Sequence, residues 1–134
     1  VTRKVKVVSG DTKISSYYGW RKNPFTGDDQ FHNGIDISAK SGNVIRSILP
    51  GKVEAVGYDG INGHYIKIKH KNNGSFYGHM LKSSGLKKGQ LVAKGQKIGL
   101  VGSTGASTGP HVHFIVYDQN WQHVNPLETN LFRL

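Results

Sequence analysis

Cysteine is absent from the 134 residues. Without a thiol there are no disulfide staples and no thiolate metal sites, so only His, Asp and Glu remain as metal-ligating side chains. Long hydrophobic runs are lacking too. No stretch approaches the roughly 20 consecutive apolar residues that a spanning helix needs, so membrane insertion is not expected. Val1–Gly10 mixes Arg3, Lys4 and Lys6 with valines and has no apolar run behind it, which does not read as a signal peptide. The expectation is either that such a segment has been removed or that this is one domain of a longer chain. Acidic residues are scarce, 8 against 18 Lys and Arg, for a formal charge of +10. That balance favours a polyanionic partner. Nucleic acid and the carboxylate- and phosphate-bearing polymers of bacterial walls both qualify, and charge does not choose between them.

With only 4 prolines and no low-complexity segment, nothing divides the chain, and its length fits one compact domain over residues 1–134. Hydrophobic residues make up 36%, enough for a β-rich core. The 18 glycines recur at turn positions, and between them lie short apolar or alternating runs: Lys52–Val56, Tyr65–Lys69, Leu91–Ala93, Ile98–Val101 and His113–Tyr117. Short β-branched segments separated by Gly and Asn predict antiparallel sheets. Asn73-Gly74 reads as a hairpin turn, because that pair tolerates positive φ. No helical stripe exceeds two turns, and the residues before Lys13 read as a leading strand or the remnant of a preceding segment. The predicted fold class is all-β.

Seven histidines stand at positions 32, 64, 70, 79, 111, 113 and 123. Two local patterns carry chemistry, His32-Asn33-Gly34-Ile35-Asp36 and His111-Val112-His113. Residues two apart on a strand face the same side. His111 and His113 therefore project together, with Val112 and Phe114 pointing towards a core. His32, Gly34 and Asp36 likewise share a face, opposite Ile35 and Ile37, and Gly34 argues against a helix here. Two such strands can converge on one metal. Catalytic zinc takes three protein ligands and keeps a fourth position for water. Two neutral imidazoles and one carboxylate leave a net positive site that lowers the pKa of water to roughly 7. Only one of His111 and His113 is needed as a ligand; the other can deprotonate water or stabilise an oxyanion. His64, His70 and His123 read as structural or surface residues, with His70 bonding backbone near the Lys71–Gly74 turn. The pattern leaves His79 open.

Ile14–Arg21, Asn23–Gly27, Phe31–Ile37, Tyr77–Met80, Val124–Pro126 and above all Gly102–Phe114 resemble, in order, the blocks of the lysostaphin/LytM-type metallo-endopeptidases that cut bacterial peptidoglycan. The resemblance covers about residues 13–126. It implies a small antiparallel β-scaffold with an active-site groove bounded by loops, Asp59–Gly63 and Ser103–Gly109 being the natural walls. It implies one Zn2+ ion held by His32, Asp36 and His113. His111 and His79 then match the two non-ligand histidines, His111 as general base and His79 at the oxyanion, with these roles exchangeable. Members that cut glycine bridges carry a tyrosine shortly before the first ligand histidine. Thr26–Phe31 contains none, so a stem-peptide or other cross-bridge bond is expected.

The implied partner is peptidoglycan, and the implied location is extracellular, periplasmic or cell-wall associated. The chain could also belong to a larger polypeptide or a phage tail assembly. Two rivals remain. Some members of the family lose ligands and serve as non-catalytic wall-binding or regulatory modules, whereas all five residues are present here. A basic nucleic-acid-binding β-domain would use the charge and the aromatics, yet no basic-aromatic motif of such a fold is found, so nucleic acid is not expected.

Overall fold

The computed structural model describes residues 4–23, 25–105, 107 and 109–134. In chain order its strands are β1 (Val5–Lys6), β2 (Lys13–Ser16), β3 (Gly19–Lys22), β4 (Asp29–His32), β5 (Ile35–Ser38), β6 (Val44–Arg46), β7 (Gly51–Asp59), β8 (Gly63–Lys69), β9 (Gly74–Met80), β10 (Leu91–Val92), β11 (Lys97–Leu100), β12 (His111–Tyr117), β13 (His123–Val124) and β14 (Phe132–Arg133). One 3₁₀ turn, Pro126–Glu128, is the only helical element among the described residues. All five runs read as strands from the sequence fall on β7, β8, β10, β11 and β12.

The large sheet runs in the order β10-β7-β8-β9-β12-β5-β2, with β13 added alongside β12. Small sheets are formed by β11 with β6, by β3 with β4, and by β1 with β14. Every pairing is antiparallel except β1 with β14, where the two ends of the chain run side by side, Val5 opposite Phe132. The alternation expected on β12 holds: Val112, Phe114 and Val116 point into the main core with Ile35, Ile37, Ile66, Ile68 and Tyr77. From the other side this core receives Val7, Val8, Ile45, Ile48, Ile98 and Phe132. Burying each such side chain contributes about 1.5–3 kcal/mol. The opposite face of β12, carrying His111 and His113, is thereby left for chemistry.

Two local readings change in their cause. The β8–β9 hairpin turns through residues 70–73, closed by His70 N–H donating to Asn73 O at 2.8 Å. Gly74 already belongs to β9 and does not adopt positive φ; a Cβ there would collide with the Trp121 ring. His32 and Asp36 do not share one continuous strand. They end β4 and occupy β5, in different sheets, with Gly34 between them where a Cβ would strike the Phe114 carbonyl oxygen.

His70 is structural, as the sequence suggests. Its Nδ1–H donates to Pro50 O at 2.9 Å and its Nε2 accepts from Ser75 Oγ at 2.8 Å. Burial pushes its pKa below the ordinary 6.5, partly offset by the Pro50 bond. The folded state thus holds this ring neutral while the unfolded chain takes a proton as pH falls through 6.5. The stability it contributes is complete above that value and is lost as pH drops towards the lowered folded value. His70→Leu is expected to cost about 1–3 kcal/mol at pH 8, and the gap to wild type should narrow by pH 5. Urea unfolding at the two pH values reads this; a gap that widens in acid would contradict it.

Candidate metal centre

Five histidine and aspartate side chains converge on one cleft of about 620 Å³: His32, Asp36, His79, His111 and His113 all line it. β12 lies between β5 and β9, in register His113 with Asp36 on one side and with Gly78 on the other. That register puts Asp36 beside His113 on the sheet face away from the main core. β4 brings in His32, since Gly34 lets the chain turn tightly across Phe114.

Three of the five form a tight cluster. His32 Nε2 lies 3.1 Å from His113 Nδ1 and 3.3 Å from Asp36 Oδ1, and His113 Nδ1 is 3.0 Å from the same oxygen. The outward nitrogens decide the tautomers. His32 Nδ1 faces the Tyr17 carbonyl oxygen at 3.0 Å, and His113 Nε2 faces Asn33 Oδ1 at 3.0 Å. Both partners are acceptors, so both outward nitrogens carry the proton. What remains pointing inward is two imidazole lone pairs and a carboxylate oxygen, three acceptors with no donor of their own.

Such a cluster requires a cation. A proton on His113 is opposed, because burial, only partly offset by the bond to Asp36, lowers its pKa below the ordinary 6.5. Burial likewise pushes the Asp36 carboxyl up, but the His113 and His32 imidazoles beside it outweigh this and hold it well below the usual range, as the anion. A metal ion satisfies all three at once, and these are the residues that can hold one. The donor set suits zinc. Ligand atoms 2.0–2.1 Å from a tetrahedral ion are about 3.3 Å apart, close to the spacings here. Carbonyl oxygens on the outward imidazole N–H groups are the usual way to orient zinc-binding histidines.

Asp36 presents only one oxygen to this cluster. Its Oδ2 is held by Arg21 Nη1 at 3.0 Å, and the same nitrogen donates to Ser16 Oγ at 2.8 Å. Arg21 was not singled out from the sequence. It comes from the β3–β4 hairpin, whose Lys22, Gln30 and Phe31 also wall the cleft. Arg21→Met leaves Asp36 Oδ2 without its donor, and zinc affinity in a chelator competition is expected to fall about tenfold. Unchanged affinity would show that Arg21 does not orient the carboxylate.

The other two histidines are fixed differently. His111 Nδ1–H donates to Gly109 O at 2.8 Å, with Ser107 Oγ 3.1 Å away, and its Nε2 stands 3.7 Å from Asp36 Oδ1. His79 Nδ1–H donates to Thr104 O at 2.7 Å, and the rings of His79 and His111 are 4.6 Å apart. His79 has φ 58°, a left-handed conformation costing a non-glycine residue about 1–2 kcal/mol. Its backbone N–H donates to Asn62 O at 2.6 Å. Thr104 in turn bonds Met80 O through its hydroxyl at 2.6 Å. Backbone strain held in place this way is characteristic of functional sites.

Of the two loops expected as walls, residues 59–63 do line the cleft, through Ile61 and Asn62. The described part of Ser103–Gly109 supports His79 and His111 from behind instead; Ala106 and Thr108 lie outside the described residues. His64, His70 and His123 do not line the cleft.

The family model described as Peptidase family M23 matches residues 30–126. The chain belongs to peptidase family M23. Among its relatives, a peptidoglycan DD-endopeptidase of Vibrio cholerae, ShyB, is 44% identical over 101 residues, covering 75% of this chain and 24% of the relative. The crystal structure of a zinc-containing peptidase from Vibrio cholerae superposes with a TM-score of 0.79 at 38% identity, over 96% of this chain and 41% of that one. The catalytic domain of EnpA, a prophage-encoded M23 protein of Enterococcus faecalis, gives 0.77 at 36% identity, over 94% and 97%. The chain spans between 23% and 30% of the length of the curated relatives it matches. This M23 chain shares the all-β lysostaphin-type scaffold: the catalytic domain of lysostaphin itself superposes with a TM-score of 0.72 at 28% identity.

Proposed function

We propose that this chain is the catalytic domain of a zinc metallo-endopeptidase that hydrolyses peptide bonds in the stem peptides or cross-bridges of bacterial peptidoglycan. The observation that carries it is the trio His32 Nε2, His113 Nδ1 and Asp36 Oδ1, three acceptors within 3.3 Å of one another and without a donor. Support for the substrate comes from relatives named as peptidoglycan DD-endopeptidases. The basic surface suits an anionic wall, and such a substrate places the work in the periplasm or outside the cell. The same reading takes residues 1–134 as one catalytic unit, since the main core draws on residues from Val7 to Phe132. EnpA, being prophage-encoded, keeps a phage-associated role in view.

His32, Asp36 and His113 would hold a zinc ion, which when bound would supply Lewis acidity and lower the pKa of a water towards about 7. The chain's own residues do the rest. His111 Nε2, its lone pair free because Nδ1–H is bonded to Gly109, takes the proton of the attacking water. As an imidazolium it then passes that proton to the departing amine. His79 has the same tautomer, so its Nε2 too is an acceptor at rest and becomes an oxyanion donor only once protonated. Burial, outweighing the bond to Thr104, lowers its pKa, so the resting ring is neutral and the proton that makes it a donor must come from the reacting groups. Arg21 holds Asp36 so that a single oxygen faces the reacting groups.

The test is chelation and restoration on a purified cross-linked muropeptide. Cleavage is expected to stop when zinc is stripped and to return when zinc is added back. Cleavage that persists in metal-free protein would overturn the reading.

A further inference from the structure

The face of the large sheet that carries His113 continues beyond the cleft. Successive residues of β12 on that face are His113, Ile115 and Tyr117. Cross-strand register aligns Ile115 with Phe76 and Lys67, and Tyr117 with Gly74, Lys69 and Lys52. Side chains paired across neighbouring strands share a face. The metal-bearing face therefore runs on into a second cluster of Phe76, Ile115 and Tyr117, against which Tyr65 and Trp121 pack, edged by three lysines.

Three features mark this patch as built for an anion. First, Lys67 Nζ sits 4.4 Å above the Trp121 ring and 5.0 Å above that of Tyr117, with Lys69 Nζ 6.0 Å from Trp121. Second, Lys52 and Lys69 are direct cross-strand partners, a like-charge placement that destabilises a sheet. The ion pairs formed among the described residues leave Lys52, Lys67 and Lys69 out entirely. The nearby carboxylate of Asp118 is occupied by the backbone N–H groups of Asn120 and Gln122, at 2.8 and 3.0 Å. Third, Trp121 is held at φ 60°, in the left-handed region, and Gly74 leaves room for its ring. The half-buried indole is thereby fixed against Phe76, Ile115 and Tyr117, with the Lys67 ammonium over its face.

We propose that Lys67, Lys69 and Lys52, with the Trp121 and Tyr117 rings, form a subsite for a carboxylate of the substrate peptide. Tyr117 lies four residues along β12 from His113, about 13 Å at about 3.3 Å per residue. An extended peptide covers that distance in about four residues. The subsite thus reads a free carboxylate about four residues from the scissile bond and selects wall peptides in which that group is ionised over those in which it is amidated. The inference rests on the peptidase reading above. It commits to a carboxylate of the peptide rather than a phosphate of a wall polymer, because the patch lies on the same sheet face as the metal cluster.

Binding is measured on zinc-loaded protein with Trp20→Phe, so that indole fluorescence reports Trp121, and with His111→Ala to prevent turnover. Two peptides of about eight residues are compared, with the fourth residue on either side of the susceptible bond carrying a free or an amidated carboxylate. The free form is expected to bind about five- to tenfold more tightly, with a change in Trp121 emission, as one charge-assisted contact would give. Lys67→Gln with Lys69→Gln should erase the preference, and should leave stability equal or slightly higher by relieving the lysine repulsion. Equal binding of the two peptides, or a preference that survives the double substitution, overturns the subsite. So does inorganic polyphosphate changing the emission when neither peptide does. Cleavage by protein with His111 intact keeps the two claims apart. Both peptides cleaved at equal rates removes only the subsite. A binding preference without any cleavage leaves the subsite and removes the hydrolytic reading.

Discussion

His113→Ala is expected to lower hydrolysis of cross-linked peptidoglycan fragments by about 10³-fold or more, and to release the metal. The trio has no spare member: with His113 gone, only His32 Nε2 and Asp36 Oδ1 face the ion, and catalytic zinc needs three protein ligands. Lewis-acid stabilisation of the developing charge is worth several kcal/mol, and each 1.36 kcal/mol is about tenfold in rate. The fold should survive, because His113 lies on the open face of β12 while Val112 and Phe114 hold the core. Zinc content by elemental analysis, circular dichroism and turnover separate these effects. A folded His113→Ala protein that retains both zinc and activity would place the metal elsewhere.

His111→Ala should behave differently: turnover falls by about 10²–10⁴-fold, as for loss of a positioned proton carrier, while zinc stays bound. His111 Nε2 is 3.7 Å from Asp36 Oδ1, beyond the 3.0–3.3 Å spacings inside the trio. His79→Ala is expected to fall in the same range, and the double variant to lose little more than the worse single one, because residues that act as a unit are not additive. Zinc-to-protein ratios and single-turnover rates for the three variants decide. Loss of zinc from His111→Ala would make it a ligand, and a double variant whose losses multiply would mean that the two rings act independently.

Spacing brings His32, Asp36, His111 and His113 into the candidate site, whereas the choice of ligands and the place of His79 came only with the family resemblance; the reasons for the remainder are physical. His111 and His113 obey strand alternation, so their common face was legible without coordinates. His32 and Asp36 have the same even spacing, yet they reach each other across a break at Gly34, from two sheets. A tight turn between short strands mimics the pattern of one strand. The large-sheet strands were legible because their β-branched residues alternate between glycine turns. The parallel pairing of β1 with β14 was not, since it joins the two chain ends and has no local signal. Arg21 was missed for a related cause: its partner Asp36 lies on another strand, and nothing in Gly19-Trp20-Arg21-Lys22 specifies which charge it meets. The carbonyls of Tyr17, Thr104 and Gly109 that fix three of the tautomers are backbone atoms, for which residue identity says little. The lysine patch shows the converse case. In the sequence Lys67 and Lys69 are two of 18 basic residues, and only the register puts both on the metal-bearing face, with Lys69 opposite Lys52.

The most direct test of the central claim is digestion of purified peptidoglycan by the zinc-loaded chain, with His113→Ala alongside and mass spectrometry of the soluble fragments. New amino termini at one kind of peptide bond, from the wild type and not from the variant, are the expected result and would identify the bond. Intact peptidoglycan of several chemical types, with zinc verified in the protein, would contradict the claim and make this scaffold a wall-binding module.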